Sequence, residues 1–514
     1  MRRRYASGWR RDGRIRSQCR THYSWQDEMS APIVVIGGGV DALVAAHWLA
    51  RAGESVTMID ERGQVPSSTS GWIPPEVIRR LDLAAHGLVI GAPDPWLSAP
   101  LPNGGRLDLW RDSARTANAM RALSAPDADR WPAFCEQMRE HAAVLAALYS
   151  APAPDVMTRD WRELLHVAKI ALRTRRLGRA RLESFLRLVP MSIADLLDDW
   201  FESDLLKGVL GAAGVMHLHQ GPRSGGTALA FLHHHVGNAP GVFRPSHSNI
   251  EAVLARCSGV DRRANVRIQQ IDVQAGRVTG VTLVDGTHIA ATLVVSAASP
   301  WQTLLDWVDA AWLEPDAIRA IRNIRARGVV AHVVLTLDRA PGFAALAIAP
   351  SLDYLERAYD DAKYRRISHA PLIEARYVAP SGADATHAVI VQMQFAPYLL
   401  AEGSWDASRK QALVDTVIAA VANHLPRDAI LSTQCVSPAD AATDDGFPAG
   451  QAHHAELALD QFLWMRPTPS LARYRTMIGG LYLCGPAMHP GAGTAGASGM
   501  LAAQTVLGDR GQQR

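Results

Sequence analysis

The segment Gly37-x-Gly39-x-x-Ala42 has the spacing of a dinucleotide fingerprint, with alanine in the third place. The first glycine permits a tight turn and the second lets backbone approach a pyrophosphate. The third small residue lets a helix pack closely on a strand. Phosphates would then sit at a helix N-terminus, where free N–H groups and the helix dipole favour anions. Asp60 follows at the place where an acid accepts hydrogen bonds from ribose hydroxyls. A second glycine-rich stretch, GLYLCGPAMHPGAGTAGASGMLAA (480–503), turns from a strand ending at Gly485 into a helix beginning near Ala497 or Ser498. That helix start also favours negative charge.

These residues need a β-α-β frame. Residues 32–37 are a short apolar strand, VDALVAAHWLARAG an amphipathic helix closed by Gly53, and SVTMID a second strand, which pairs parallel to the first. From about 75 to 215 the pattern reads as mostly helical. Strands broken by AGR and DGT turns follow between 266 and 300. Further strands are expected over 328–337 and 386–396, and a helix over ASRKQALVDTVIAAVANHL. The two nucleotide-type stretches lie at opposite ends of the chain, so the nucleotide domain is discontinuous. The expected division is a disordered Arg-rich tail over 1–30, a cofactor domain from 31–74, 245–300 and 440–514, and a substrate domain from 75–244 and 301–439.

Composition removes several function classes. The chain has 514 residues, is 48% hydrophobic and carries a net charge of +3. Eight arginines within residues 1–28 stand against Asp12, Asp27 and Glu28. The rest of the chain is therefore slightly acidic and has no nucleic-acid signature. No apolar run reaches the roughly 18 residues needed to span a bilayer, which leaves peripheral membrane contact open. The tail has no apolar signal core. It is either a transit peptide, placing the protein in the mitochondrial matrix, or lies upstream of a start at Met29 in a cytoplasmic protein. Five scattered cysteines without a C-x-x-C pair fit a reducing compartment. His217, His219, His233 to His235, His247, His453 and His454 lack the Cys or carboxylate spacing of a metal site, so no metal is expected. If the His233–His235 run is a strand, its side chains alternate between two faces.

Together, the stretches SIADLLDDWFESDLLKGVL (192–210), GPRSGGTALAFLHHHVG (221–237), SLDYLERAYDDAKY (351–364), HAELALDQFLWMRPTPSLARYRT (454–476) and LYLCGPAMHPGAG (481–493) resemble the phytoene-desaturase-like FAD-dependent oxidoreductases. The likeness runs from about 32 to 508. It implies an α/β fold with an α+β substrate part: a discontinuous Rossmann-like FAD-binding domain and a second substrate domain of amine-oxidase/phytoene-desaturase type. It also implies that Gly37, Gly39, Ala42, Asp60 and Arg62 meet the adenosine and phosphates and that Ile268 flanks the adenine. Gly485, Gly496 and Ala497 would border the ribityl chain and ring. His489, on the loop passing the ring, and Lys363 are the candidates for touching substrate.

The resemblance implies an oxidoreductase that moves a hydride from a small, apolar organic substrate to the flavin, with oxygen or a quinone-like molecule as electron acceptor. Such chemistry belongs to the cofactor, and no obligate protein base is needed. The sequence departs from the family pattern around the phosphates. The Gly-Gly pair after Arg62 is replaced by GQVPSSTSGWIPPE, and a second glycine-rich element is replaced by RPSHSNIEA (244–252). Pro486 has no N–H to donate. Asp41 puts an acid in the phosphate-facing turn, where it could instead cap its own helix. These departures predict FAD that is bound non-covalently and lost easily. They also define an alternative: a degenerate member that keeps the fold as a binding or regulatory module.

Overall fold

The computed structural model describes residues 31–63, 68–102, 104–154, 178–380, 386–444 and 446–513. The Arg-rich tail expected over 1–30 lies outside them.

The chain opens with β1 (Ile33–Ile36), α1 (Val40–Arg51) and β2 (Val56–Asp60). All four residues of β1 and all five of β2 are buried, as befits a parallel strand covered on both faces. α1 is buried from Asp41 to Leu49 and ends at Ala52, before Gly53 in the left-handed region. Burying Leu43, Trp48 and Leu49 contributes about 1.5–3 kcal/mol each relative to exposure. Two short strands follow, β3 (Leu97–Pro100) and β4 (Arg106–Leu109), within the stretch read as mostly helical. The signal for them is the intervening Gly104-Gly105 pair, both at positive φ. Helices α2 (Ala125–Tyr149), α3 (Asp204–Val215) and α4 (Thr227–His235) form the helical part around the site. Ser124 and Ser203 cap the first two through their hydroxyls.

Helix α5 (Ile250–Arg256) leads into β5 (Asp261–Ala264). The three-stranded meander β6 (Ile268–Gln274), β7 (Arg277–Leu283) and β8 (His288–Ala290) comes next, then β9 (Val294–Ser296). Further elements that frame the site are β10 (Val330–Leu337), β11 (Ala345–Ile348), α6 (Leu352–Lys363), β12 (Leu372–Val378), β13 (His387–Gln394), β14 (Ile430–Val436), β15 (Leu481–Leu483) and α7 (Ala497–Gln513), and the helix expected over ASRKQALVDTVIAAVANHL spans Ala407–Val421.

Two sheets organise these elements. The first is wholly parallel, in the order β15-β9-β1-β2-β5, so strands from both ends and the middle of the chain lie side by side. The second runs β14-β10-β13-β12-β11-β3-β4 and is antiparallel except for the β11/β3 pair. Its strands β10 and β13 alternate strictly between buried and half-buried residues along most of their length, giving a face free to line a cavity. Each sheet has its own apolar core, and a third gathers around α2, α3 and α4. This α/β architecture, with an α+β second part, agrees with the sequence reading.

α7 crosses α1 at very close range. A Cβ on Gly499 would stand 2.0 Å from the Asp41 carbonyl oxygen, so only glycine fits there. Buried Arg466 anchors the loop that precedes α7. Its guanidinium donates to five backbone carbonyls, those of Ala455, Glu456, Gln461, Pro486 and Met488, at 2.7–3.3 Å. Burial without a carboxylate partner among the described residues lowers its pKa to about 10, which still leaves it charged at neutral pH.

Candidate functional site

The turn between β1 and α1 is built as the glycine spacing requires. Gly37 has φ +120° and donates its N–H to the Ile59 carbonyl at 2.8 Å. A Cβ there would meet Ala42 at 3.5 Å, and Ala42 is fully buried, so the third position must stay small. Gly39 is the N-cap of α1, and a Cβ on it would meet nothing within 4 Å. The helix N-terminus is therefore open to solvent at the place a phosphate would use.

Asp60 stands at the end of β2, buried to 0% exposure. Its Oδ1 accepts from the backbone N–H groups of Arg62 at 3.1 Å and Gly63 at 3.2 Å. Its Oδ2 accepts from the Arg262 guanidinium on the neighbouring strand β5. A Cβ on Gly38 would stand 2.3 Å from Oδ1. Arg62 turns its guanidinium over the Phe447 ring, 5.0 Å from the centroid. Ile268 starts β6, donating its N–H to Glu61 Oε1 at 3.0 Å, with its side chain in the core. At the other end, Gly485 and Gly496 are set by packing: a Cβ on the first would meet the Ala297 carbonyl at 2.6 Å, and on the second Val44 at 2.5 Å. Ala497 is the first residue of α7 and is buried.

Two carboxyls occupy the adjoining helix starts. Asp41 does not cap its own helix. Its Oδ1 accepts from the N–H of Gly499, in the first turn of α7, at 3.2 Å. The reason is the close crossing of α1 on α7, which aims the side chain across rather than back. Burial raises its pKa to about 7, against the pull of N–H groups at Gly499, Ser498 and Gly496 and with a push from Glu251. Glu251, in the first turn of α5, is also buried. Burial raises its pKa too, although the Thr69 hydroxyl and the Val40 N–H in the first turn of α1 favour the ionised form. The hydroxyls of Ser248 and Ser498 are buried without a hydrogen-bond partner among the described residues. Orphaned polar atoms cost about 1–3 kcal/mol each unless a partner arrives. An open Gly39, two helix N-termini and these orphaned atoms fit the phosphates of FAD, provided that Asp41 and Glu251 carry protons. As neutral carboxyls they would donate hydrogen bonds where the expected glycine N–H groups are missing.

Beside this cradle lies a chamber of about 370 Å³. Gly493 of the glycine-rich loop closes one side, and strands β10 to β13 close the other. Its apolar lining includes Trp96, Met216, Leu346 and Ile390, and its polar lining includes His217, His234, His453, Arg244, Glu374 and Arg376. The His217 and His453 rings lie 4.1 Å apart. Burial pushes the His217 pKa down to about 3 and holds those of His234 and His453 well below the usual imidazole range. All three are neutral at pH 7. The His233–His235 run is helical rather than extended, so its side chains fan around α4 instead of alternating. His233 donates to the Ala492 carbonyl at 2.6 Å and accepts from Tyr149, His234 faces the chamber, and His235 donates to the Val242 carbonyl at 2.7 Å.

The two candidates for touching substrate lie elsewhere. His489 is fully buried in the loop wall. Its Nε2 donates toward the carbonyls of Leu148 and Ala151 at 3.3 and 3.2 Å, and burial lowers its pKa to about 4. Lys363 ends α6 on the exposed surface beside the Tyr364 ring, outside the chamber lining. Sequence reasoning missed Arg466, Glu251 and Arg376. Only Arg466 carried a local signal, as the lone cation in the apolar FLWMRP run.

Comparison with known proteins gives this geometry a context. The family described as flavin containing amine oxidoreductase matches residues 75–507, a match that begins after the Gly37–Ala42 turn. The rat pyridine nucleotide-disulfide oxidoreductase domain-containing protein 2 is 28% identical over 544 aligned positions, 93% of either chain. A lycopene-forming phytoene desaturase from a Paracoccus species is 27% identical over 48% of this chain and 50% of its own. Among solved structures, a redesigned putrescine oxidase superposes with a TM-score of 0.58 at 12% identity, covering 94% of this chain and 99% of its own. At that identity the likeness speaks for the fold alone.

Proposed function

The chain belongs to the flavin containing amine oxidoreductase family, and from that premise we propose that it removes a hydride from a small organic substrate held in the chamber beside Gly493. The observation that carries this reading is the position of the chamber, bounded by the glycine-rich loop on one side and the antiparallel sheet on the other. FAD, when bound, supplies the two-electron acceptor. The protein's own work is to hold and desolvate. Gly39 and the first turn of α1 would receive phosphate, with the Asp41 carboxyl, whose pKa burial raises to about 7, as a donor while it carries its proton. The Arg466 clamp holds the loop that forms the chamber wall. The apolar wall at Trp96, Met216 and Ile390 would hold the substrate out of water beside the glycine-rich loop. The chamber imidazoles are poor bases because burial disfavours their cations, so they orient by hydrogen bonding.

A second reading rests on Asp60. Its carboxylate already accepts from two N–H groups and a guanidinium, which leaves little capacity for ribose. On that reading the protein is a non-catalytic family member. Titration of stripped protein with FAD, beside FMN and NADH, separates the two. A micromolar, FAD-selective response and a flavin absorption band support the oxidoreductase. A colourless protein that none of the three titrates would leave only the binding module.

A further inference from the structure

The chamber has an unbalanced charge. Glu374 is the only acid among its described lining residues, and Arg244 takes it, donating Nε and Nη2 to Oε1 at 2.9 and 2.6 Å. Arg244 is further satisfied by the carbonyls of Phe243 and Val209, both at 3.0 Å. Arg376 lies two residues beyond Glu374 on β12, so both side chains leave the same face of the sheet. Arg376 has no carboxylate or carbonyl partner among the described residues, although burial already weighs against its charge. Burial holds His217, His234, His247 and His453 below the usual imidazole range, and the described lining carries two guanidinium groups against one carboxylate. A cationic amine entering here would meet a net positive wall and no free acid. An anion would meet an unpaired planar fork suited to a carboxylate. The buried Nδ1 of His234 also lacks a partner among the described residues, and the apolar side at Trp96, Met216 and Ile390 would receive a hydrocarbon body.

From this juxtaposition we infer that the chamber takes a small organic carboxylate with an apolar body, oriented by Arg376. The inference rests on the oxidoreductase reading only for the fate of that molecule, since its binding needs no flavin. The test is calorimetric titration of the full chain with three ligands of one skeleton: phenylacetate, phenylacetamide and phenethylamine. Hexanoate and benzoate extend the acid series. The expected result is phenylacetate binding at least tenfold tighter than either neutral or cationic analogue. R376Q should lose at least tenfold in acid affinity with the amide unchanged, and R376K should recover part of the loss. Equal or tighter binding of the amine, no binding of any of the three acids, or an R376Q variant indistinguishable from the parent would overturn the inference. The comparison among ligands on the parent protein stands even if a variant fails to fold. Flavin absorbance read on the same samples keeps the questions apart: a colourless protein that still prefers the acid removes the flavin reading and keeps this one.

Discussion

Replacing Asp41 by asparagine should stabilise the protein above neutral pH. Asp41 is buried where α1 crosses α7, and its pKa is raised from 3.8 to about 7. At about 1.36 kcal/mol per pH unit, that displacement gives an upper bound of about 4 kcal/mol for holding this carboxylate ionised in place rather than in water. The amide of the D41N variant would keep an acceptor for the Gly499 N–H but a weaker one, at a cost of about 1 kcal/mol. The net gain at pH 8 is then about 2–3 kcal/mol, or about 2–3 °C in melting temperature for a chain of this length. The sign follows from proton counting. Between pH 4 and 7 the folded protein keeps a proton that the unfolded chain has released, so Asp41 makes stability fall as pH rises through that window, and level above it. The variant does not titrate there. Its advantage should therefore be smallest near pH 4, grow to pH 7 and stay constant beyond. The buried histidines also titrate in this range but are common to both proteins and cancel in the difference. Melting curves of both proteins at half-unit steps from pH 4 to 9 supply the assay. A pH-independent difference, or a variant less stable than its parent at pH 8, would show that the α7 N–H groups outweigh burial and that Asp41 is ionised throughout. The same variant bears on the cofactor. If FAD binds beside protonated Asp41, parental affinity should fall by up to about tenfold per pH unit above 7, and D41N should flatten that slope.

Other consequences are more local. R262Q should cost about 3–5 kcal/mol in denaturant unfolding because it leaves Asp60 buried with no guanidinium, and adding D60N should return most of the loss. The histidines whose pKa values burial depresses, among them His217, His233, His235 and His489, contribute stability present above pH 6.5 and lost as pH falls toward 4. Melting temperature should therefore drop steeply over that interval in the parent protein. R466M should open the 486–491 loop by removing five carbonyl contacts, seen as faster amide hydrogen exchange there than in α1. K363A should change neither turnover nor stability beyond about 0.5 kcal/mol, as expected for an exposed side chain away from the chamber.

The parts of the site legible in the sequence are those whose signal is local. The strand–glycine turn–helix at Gly37 and the strand–loop–helix that enters α7 at Ala497 each declare themselves within about 25 residues, because turn, helix start and burial pattern are neighbours in the chain. β10 and β13 are legible for the same reason. What escapes is set by partners far apart in sequence. Asp60 reads as a ribose acid, and only the pairing of β5 with β2 shows that Arg262 also stands against it. Asp41 reads as a cap for α1 until α7 arrives from the other end of the chain. Arg376 reads as an ordinary strand residue until Arg244 claims Glu374 and leaves it the unpaired charge among the described residues of the chamber. In each case the residue type is evident and its state of satisfaction is not, and chemistry depends on the second. A carboxylate with three donors is held in place by them, whereas a guanidinium with no acceptor among the described residues is an invitation to a ligand. That difference is why the experiments on Asp60 read stability and the experiments on Arg376 read binding.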